Sequence, residues 1–124
     1  MRWSAAWLLT MGVSACAWQG PALEGHPGLQ YQVISFYDAH ASERQWSCPN
    51  PAMQSVTSTR VVEDNPAKVV MDIRYYWVDW SQANDIPGGS ITTCRDFGER
   101  TFTFTRNSDG TLQPESMTGP QKRA

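Results

Sequence analysis

The sequence has few of the features that catalytic and nucleic-acid-binding proteins display. Its 124 residues include only two histidines and three cysteines, and their spacing matches no zinc site. It contains no phosphate-binding glycine loop, no catalytic-triad signature and no paired histidine motif. No apolar run reaches the about 20 residues that a membrane-spanning helix needs. These absences predict a small protein without a metal or cofactor, and nothing in the sequence indicates an enzyme.

The charge of the chain is also modest. The formal net charge is −2 at neutral pH, and the basic residues form no patch of the kind that nucleic-acid binding requires. Nucleic acid is therefore not an expected partner. The short basic end at 121–124 is predicted to be solvated, as chain termini usually are.

The first residues are typical of an export signal. Arg2 is followed by residues 5–15, which are apolar or small throughout. This stretch is too short to span a membrane and has the composition of a signal peptide. It is therefore excluded from the prediction of the fold.

The end of this segment, Val13-Ser14-Ala15-Cys16, resembles the lipobox of bacterial lipoproteins. In that family small residues precede a cysteine that is acylated and becomes the new N-terminus. The resemblance implies a palmitate-type anchor on Cys16, with the membrane as partner. Residue 17 is alanine and not the aspartate that retains many such proteins in the inner membrane. The implied location is the outer membrane, with the domain facing the periplasm.

Two other interpretations of the same residues stay open. Ala15-Cys16-Ala17 also fits an A-x-A cleavage site, and that cut would release a soluble periplasmic protein beginning at Trp18. The third alternative is an uncleaved N-terminal apolar helix.

The remaining cysteines fit export by either cleavage route. Once Cys16 is acylated or removed, Cys48 and Cys94 are left. Because the periplasm is oxidising, one disulfide between them is expected. The alternative is two unrelated buried thiols.

The chain is predicted to contain one domain between flexible ends. Gly20, Pro21, Gly25 and Pro27 are typical of a linker. The predicted divisions are a signal peptide at 1–15, a lipid anchor and flexible tether at 16–28, one domain at 29–118 and a C-terminal tail at 119–124.

Hydrophobic periodicity predicts one helix and then strands. Apolar residues at three- and four-residue steps predict a helix at 29–46, ended by the prolines that follow Cys48. Alternation and β-branched residues predict strands at 55–63, 68–79, 91–106 and 111–117, with Gly98 marking a bulge or kink. In the second strand the predicted core face is Val69, Met71, Ile73, Tyr75 and Trp77.

This order predicts an α+β fold with one N-terminal helix packed on an antiparallel meander sheet of about four strands. It resembles the sheet half of cystatin-like and nuclear-transport-factor-like cone folds. That resemblance implies a sheet face that can line a ligand pocket.

A possible binding surface lies on and after the second strand. Asp72, Arg74 and Tyr76 share its polar face, and Trp80 follows in the predicted loop at 80–90. The alternative is that the charged residues form cross-strand pairs. On the predicted helix, His40 lies near carboxylates and could act as a general base, with Tyr37 and Arg44 on the same side. No nucleophile motif accompanies them, so a boundary histidine is the simpler interpretation.

Two functions are therefore expected from the sequence. The first is a non-enzymatic envelope lipoprotein that contacts envelope proteins or the cell wall. The alternative is a periplasmic ligand-binding cone for a small apolar or aromatic molecule. A filled core with an exposed aromatic patch would favour the first, and a large pocket on the sheet would favour the second.

Overall fold

The computed structural model describes residues 23–82 and 94–123. Over these ranges the chain forms a helix and four strands, α1 (Leu29–His40), β1 (Ala52–Asp64), β2 (Lys68–Val78), β3 (Arg95–Arg106) and β4 (Leu112–Met117). The strands form one antiparallel sheet in the order β1-β2-β3-β4. The predicted fold class, a helix on a four-stranded α+β meander, is confirmed. Pro114 lies in β4, an edge strand, as expected of a residue without an N–H donor.

The core lies between α1 and the inner face of the sheet. The predicted β2 residues Val69, Met71, Ile73, Tyr75 and Trp77 are all 2% exposed or less. Helix residues Leu29, Val33 and Tyr37 and the β3 residues Phe102 and Phe104 complete this core. Because the helix and strand periods each place apolar side chains on one side, the two faces bury each other. Burial contributes about 1.5–3 kcal/mol for each large side chain.

The helix is shorter than predicted. It ends at His40, and Ala41 is extended, with φ −84° and ψ 149°. Ala41 pairs with Gln121 of the C-terminal segment, and Glu43 exchanges two backbone hydrogen bonds with Cys48. These tertiary pairings take the chain out of the helix before residue 46, so the prolines after Cys48 do not end it.

Gly98 does not form the predicted bulge. The β2–β3 register is continuous, and Gly98 lies opposite Tyr75. A Cβ at Gly98 would lie 2.7 Å from the Tyr75 hydroxyl oxygen. The glycine therefore provides space for a buried tyrosine ring. The irregularities of the sheet are concentrated in β1, which shows three register shifts against β2, as is common in edge strands.

Both ends of the domain pack more closely than the sequence predicted. Leu23 is 5% exposed and exchanges two backbone hydrogen bonds with His26, so residues 23–28 belong to the domain and not to a tether. At the other end, the Lys122 N–H donates to the His40 carbonyl at 2.7 Å. The predicted solvated tail is therefore held against the turn that follows α1.

Cys48 and Cys94 are joined by a disulfide, with their Cα atoms 5.8 Å apart. The bond links the turn after α1 to the residue before β3. Trp80–Gln82 form a short 3-10 turn at the start of the predicted loop. Residues 83–90 of that loop, the predicted strand start at 91–93, the signal segment and Cys16 lie outside the described residues.

Candidate functional site

A buried ion pair lies where the turn after α1 meets the sheet. Arg100 Nη2 is 3.2 Å from Glu43 Oε2, and the two side chains are 2% and 13% exposed. The hydroxyls of Tyr37 and Tyr75 donate to the same carboxylate oxygen at 2.5 and 2.7 Å. This arrangement gives the buried charges the partners and hydrogen bonds that their desolvation requires.

Arg100 also holds the C-terminal segment in place. Its Nη1 donates to the carbonyls of Thr118 and Pro120 at 2.9 and 2.8 Å. Its Nη2 donates to the Ser42 carbonyl at 2.6 Å, and its Nε donates to the Tyr75 hydroxyl at 2.8 Å. Together with Glu43, these contacts occupy all five N–H donors of the guanidinium. Arg100 therefore has no donor left for a substrate, and the cluster stabilises the fold.

The two phenols of this cluster stay protonated at neutral pH. Burial raises the pKa of both Tyr37 and Tyr75, and the hydrogen bond of each to Glu43 raises it further. Both hydroxyls are thus donors toward the Glu43 carboxylate under physiological conditions.

Sequence reasoning missed this cluster. The predicted helix at 29–46 included Glu43, whereas in the structure the helix ends at His40 and the turn that follows directs the Glu43 carboxylate inward. The spacing of residues in β3 did indicate the buried arginine, since Gly98, Arg100, Phe102 and Phe104 are two positions apart and share one face. An arginine among core-face positions indicates a buried, paired charge.

The opposite side of the sheet, called here the outer sheet face, carries charged cross-strand pairs. Asp72 accepts hydrogen bonds from Arg60 at 2.6 Å and from the Thr101 hydroxyl at 2.7 Å. Arg74 donates to Glu99 at 2.9 Å. Asp72 and Arg74 were predicted as binding residues, with cross-strand pairing as the alternative. The structure shows them in cross-strand pairs. The hydrogen bonds from Arg60 and Thr101 also lower the pKa of the Asp72 carboxyl.

An aromatic pair extends the outer sheet face. Tyr76 lies opposite Phe97 across β2 and β3, with ring centroids 5.1 Å apart. Phe97 is 69% exposed, which is unusual for so apolar a side chain on a face of paired charges. The structure thus brings Asp72, Arg74 and Tyr76 together and adds Phe97, which was not among the predicted binding residues.

Trp80 is exposed separately, on the 3-10 turn after β2. It is 63% exposed and follows the buried Asp79. The Asp79 carboxylate accepts hydrogen bonds from the backbone N–H groups of Asn50 and Ser81, each at 2.9 Å. These bonds fix the point from which Trp80 projects.

The helix residues considered for chemistry do not form one site. Tyr37 is buried in the cluster, whereas His40 is exposed and its Nδ1 lies 2.9 Å from the Phe36 carbonyl oxygen. Arg44 lies in the turn beyond the helix and forms an ion pair with Asp96 at 3.7 Å. The polar groups of Tyr37, His40 and Arg44 therefore have three different partners.

The described ranges contain no group of three or more histidine, cysteine or acidic side chains arranged to hold a metal ion. Within the same ranges no helix has the length and apolar character needed to cross a bilayer. The described residues form a small α+β domain whose inner sheet face is covered by α1 and whose outer sheet face is covered by no described element. Comparison of the chain with protein-family models, curated proteins and solved structures found no match.

Proposed function

We propose that this chain is a lipid-anchored bacterial envelope protein whose domain binds another envelope protein through the outer sheet face. The lipobox-like residues that end at Cys16 support the anchor. The Cys48–Cys94 disulfide is compatible with an oxidising compartment outside the cytoplasm. The proposed role is non-catalytic.

The exposure of Phe97 beside Tyr76 is the observation that carries this proposal. No described element covers the outer sheet face, and an aromatic ring left in water there loses the free energy that burial would supply. Exposed apolar groups rimmed by polar ones are typical of protein-binding surfaces. The neighbouring Arg74–Glu99 pair is already neutral as a pair, which favours a protein partner over a highly charged polymer.

The alternative, a cone that holds a small molecule against the sheet, has less support. Met71, Ile73, Phe102 and Phe104 on the inner face are all 0% exposed. The helix and sheet therefore leave no space for a ligand beside these side chains, and close packing of this kind is typical of a core.

The position of the anchor restricts where the partner can be. Leu23, the first described residue, is buried and follows Cys16 by seven positions. Seven residues span at most about 25 Å even when fully extended. An anchored domain would therefore lie close to the membrane surface, and its partner would be membrane-proximal.

Site-specific photo-crosslinking in intact cells tests the binding surface. A photoreactive residue at Phe97 is expected to give a discrete protein adduct, whereas the same residue at Ser35, on the exposed side of α1, is expected to give none. Equal adducts at both positions would contradict the proposed surface. Adducts with glycan instead of protein would replace the protein partner with the cell wall.

The anchor is tested independently by Cys16→Ala. This change removes the acylation site and is expected to move the protein from the membrane pellet to the soluble periplasmic fraction. Retention of the variant in the pellet would contradict lipid anchoring through Cys16.

A further inference from the structure

A second surface feature adjoins the Arg100 cluster through Ser42, whose carbonyl accepts a hydrogen bond from Arg100. The turn after α1 and the C-terminal segment enclose a cleft of about 490 Å³, called here the tail cleft. That volume is in the range of small-molecule sites. Its lining residues are Ser42, Gln45, Trp46, Ser47, Pro49, Asn50, Lys122 and Arg123.

Both walls of the tail cleft are fixed by contacts within the domain. The C-terminal wall is held by the bonds from Arg100 to the Thr118 and Pro120 carbonyls. The turn is held by the Cys48–Cys94 disulfide. The walls are joined where the Trp46 indole N–H donates to the Gln121 carbonyl at 3.0 Å. The cleft is thus built by the fold and is not a gap between independent loops.

The turn that forms one wall has an unfavourable backbone. Arg44, Gln45 and Trp46 have φ values of 51°, 53° and 76°. Non-glycine residues in the left-handed region are destabilised relative to helical or extended ones. The surrounding contacts impose this conformation, which places Gln45 and Trp46 along the cleft.

Among the described residues, the lining of the cleft is cationic and contains no carboxylate. Arg123 stacks on Trp46, with its Cζ 4.3 Å from the ring centroid, and no described carboxylate pairs with it. Lys122 Nζ donates to the Pro49 carbonyl and to Asn50 Oδ1 at 3.1 and 3.2 Å. Asp38 interacts electrostatically with Lys122 but does not line the cleft, and its Oδ1 accepts a hydrogen bond from the Met53 N–H.

A buried hydroxyl at the cleft has no partner. Ser42 is 1% exposed, and among the described residues its Oγ makes no hydrogen bond. The backbone N–H and carbonyl of Ser42 are both bonded, to Pro120 and Arg100. The Oγ is enclosed by the surrounding atoms, and an unsatisfied buried hydroxyl is destabilising, so Ser42 is a point of lower local stability at the cleft.

We propose that the tail cleft binds the terminal carboxylate of a short peptide. A planar carboxylate matches the fork of the Arg123 guanidinium, and Lys122 adds a second cationic donor. Gln45 and Asn50 supply amides for the peptide groups behind the carboxylate. The size of the cleft fits about two residues. This site is independent of the outer sheet face, which lies on the other side of the sheet.

Isothermal titration calorimetry on the purified full chain tests the assignment. The probes are N-acetyl-alanyl-alanine, its C-terminal amide and inorganic phosphate. The free carboxylate is expected to bind roughly tenfold or more tightly than the amide, because hydrogen bonds to charged groups contribute about 1.5–3 kcal/mol. Lys122→Gln and Arg123→Gln are each expected to weaken binding by a similar factor. Lys68→Gln, at the far end of β2, is the matched control and leaves affinity unchanged.

Ser42→Ala is a second control, because the enclosed Oγ is not accessible to a bound peptide. The variant is expected to fold at least as stably, because it removes an unpaired hydroxyl, and to leave the affinity for the peptide unchanged. Equal affinity for the peptide and its amide would overturn the proposal. Phosphate binding as tight as the peptide would also overturn it, because it would identify a general oxyanion site. Affinity unchanged by both Lys122→Gln and Arg123→Gln would remove the tail cleft as the binding site.

Discussion

The Arg100 guanidinium and the Glu43 carboxylate lie 3.2 Å apart in the interior, although 57 positions separate them in the chain. One comes from a central strand and the other from the turn after the helix. With the carbonyls of Thr118 and Pro120 also bound to Arg100, a single side chain connects three separate segments. Arg100 is thus one of the contacts, together with the Cys48–Cys94 disulfide, that hold the turn and the C-terminal segment in place.

Arg100→Ala is expected to destabilise the domain by about 3–5 kcal/mol, because it leaves Glu43 as a buried charge without its cation. Arg74→Ala is the matched control, since it breaks an arginine–glutamate pair whose side chains are 69% and 47% exposed. Exposed pairs contribute only about 0–1 kcal/mol. Urea unfolding of the oxidised proteins gives both values. Similar losses for the two variants would contradict the structural role of Arg100.

Alkaline pH is expected to destabilise the domain through Tyr37 and Tyr75. In an unfolded chain a tyrosine ionises near pH 10, whereas burial raises the pKa of both phenols in the folded state. The folded state then retains protons that the unfolded state releases. This contribution is complete below about pH 10, and the free energy of unfolding falls as pH rises above it.

Urea unfolding as a function of pH, read with ultraviolet absorbance of the phenolates, measures this effect. The doubly substituted Tyr37→Phe/Tyr75→Phe protein should show a shallower decline above pH 10. It should also lack the phenolate signal that appears only on unfolding. An unchanged slope in the double variant would show that these tyrosines do not cause the alkaline transition.

Gly98→Ala is expected to destabilise the domain by roughly 1–3 kcal/mol, as overpacking does, because the new Cβ would meet the Tyr75 ring. Whether the free energy of unfolding falls or rises distinguishes the two cases. Glycine in the middle of an ordinary strand destabilises a protein by about 0.5–1 kcal/mol relative to alanine, so Gly98→Ala without a steric conflict would stabilise the domain. Thermal or urea melts distinguish the two, and a stabilised variant would contradict the packing of Tyr75 against Gly98.

The sheet could be predicted because its information is local. Met71, Ile73 and Tyr75 alternate with the charged residues Asp72 and Arg74, and this period of two identifies both the strand and its buried face. The pairing of Asp72 and Arg74 with neighbouring strands was an alternative that the same alternation allowed. For these features the sequence carries enough information without knowledge of the tertiary structure.

The end of the helix and the site around it could not be predicted in this way. The chain leaves the helix at Ala41 because of pairings with Gln121 and between Glu43 and Cys48, and no local pattern encodes such contacts. The packed C-terminal segment depends on Arg100 in the same manner. From the sequence alone, residues 119–123 have the composition of a solvated end. Only the tertiary structure shows that the buried Arg100 guanidinium binds the Pro120 carbonyl.

The Cys48–Cys94 bond is expected to be present in protein purified from the cell envelope. It closes a loop of about 45 residues, which on the chain-entropy model contributes roughly 4 kcal/mol. Non-reducing peptide mapping should recover the two cysteines in one linked peptide pair. Reduction, or the Cys48→Ser/Cys94→Ser change, should lower the urea midpoint. Free, alkylatable thiols at both positions would contradict the prediction.

Mass spectrometry of the N-terminal peptide from envelope-purified protein is the most direct test of the proposed anchored envelope protein. An acylated Cys16 as the first residue is the predicted result, because Val13-Ser14-Ala15 precede it in the lipobox-like order. An unmodified chain that begins at Trp18 would contradict the lipid anchor and show cleavage after Ala17 instead.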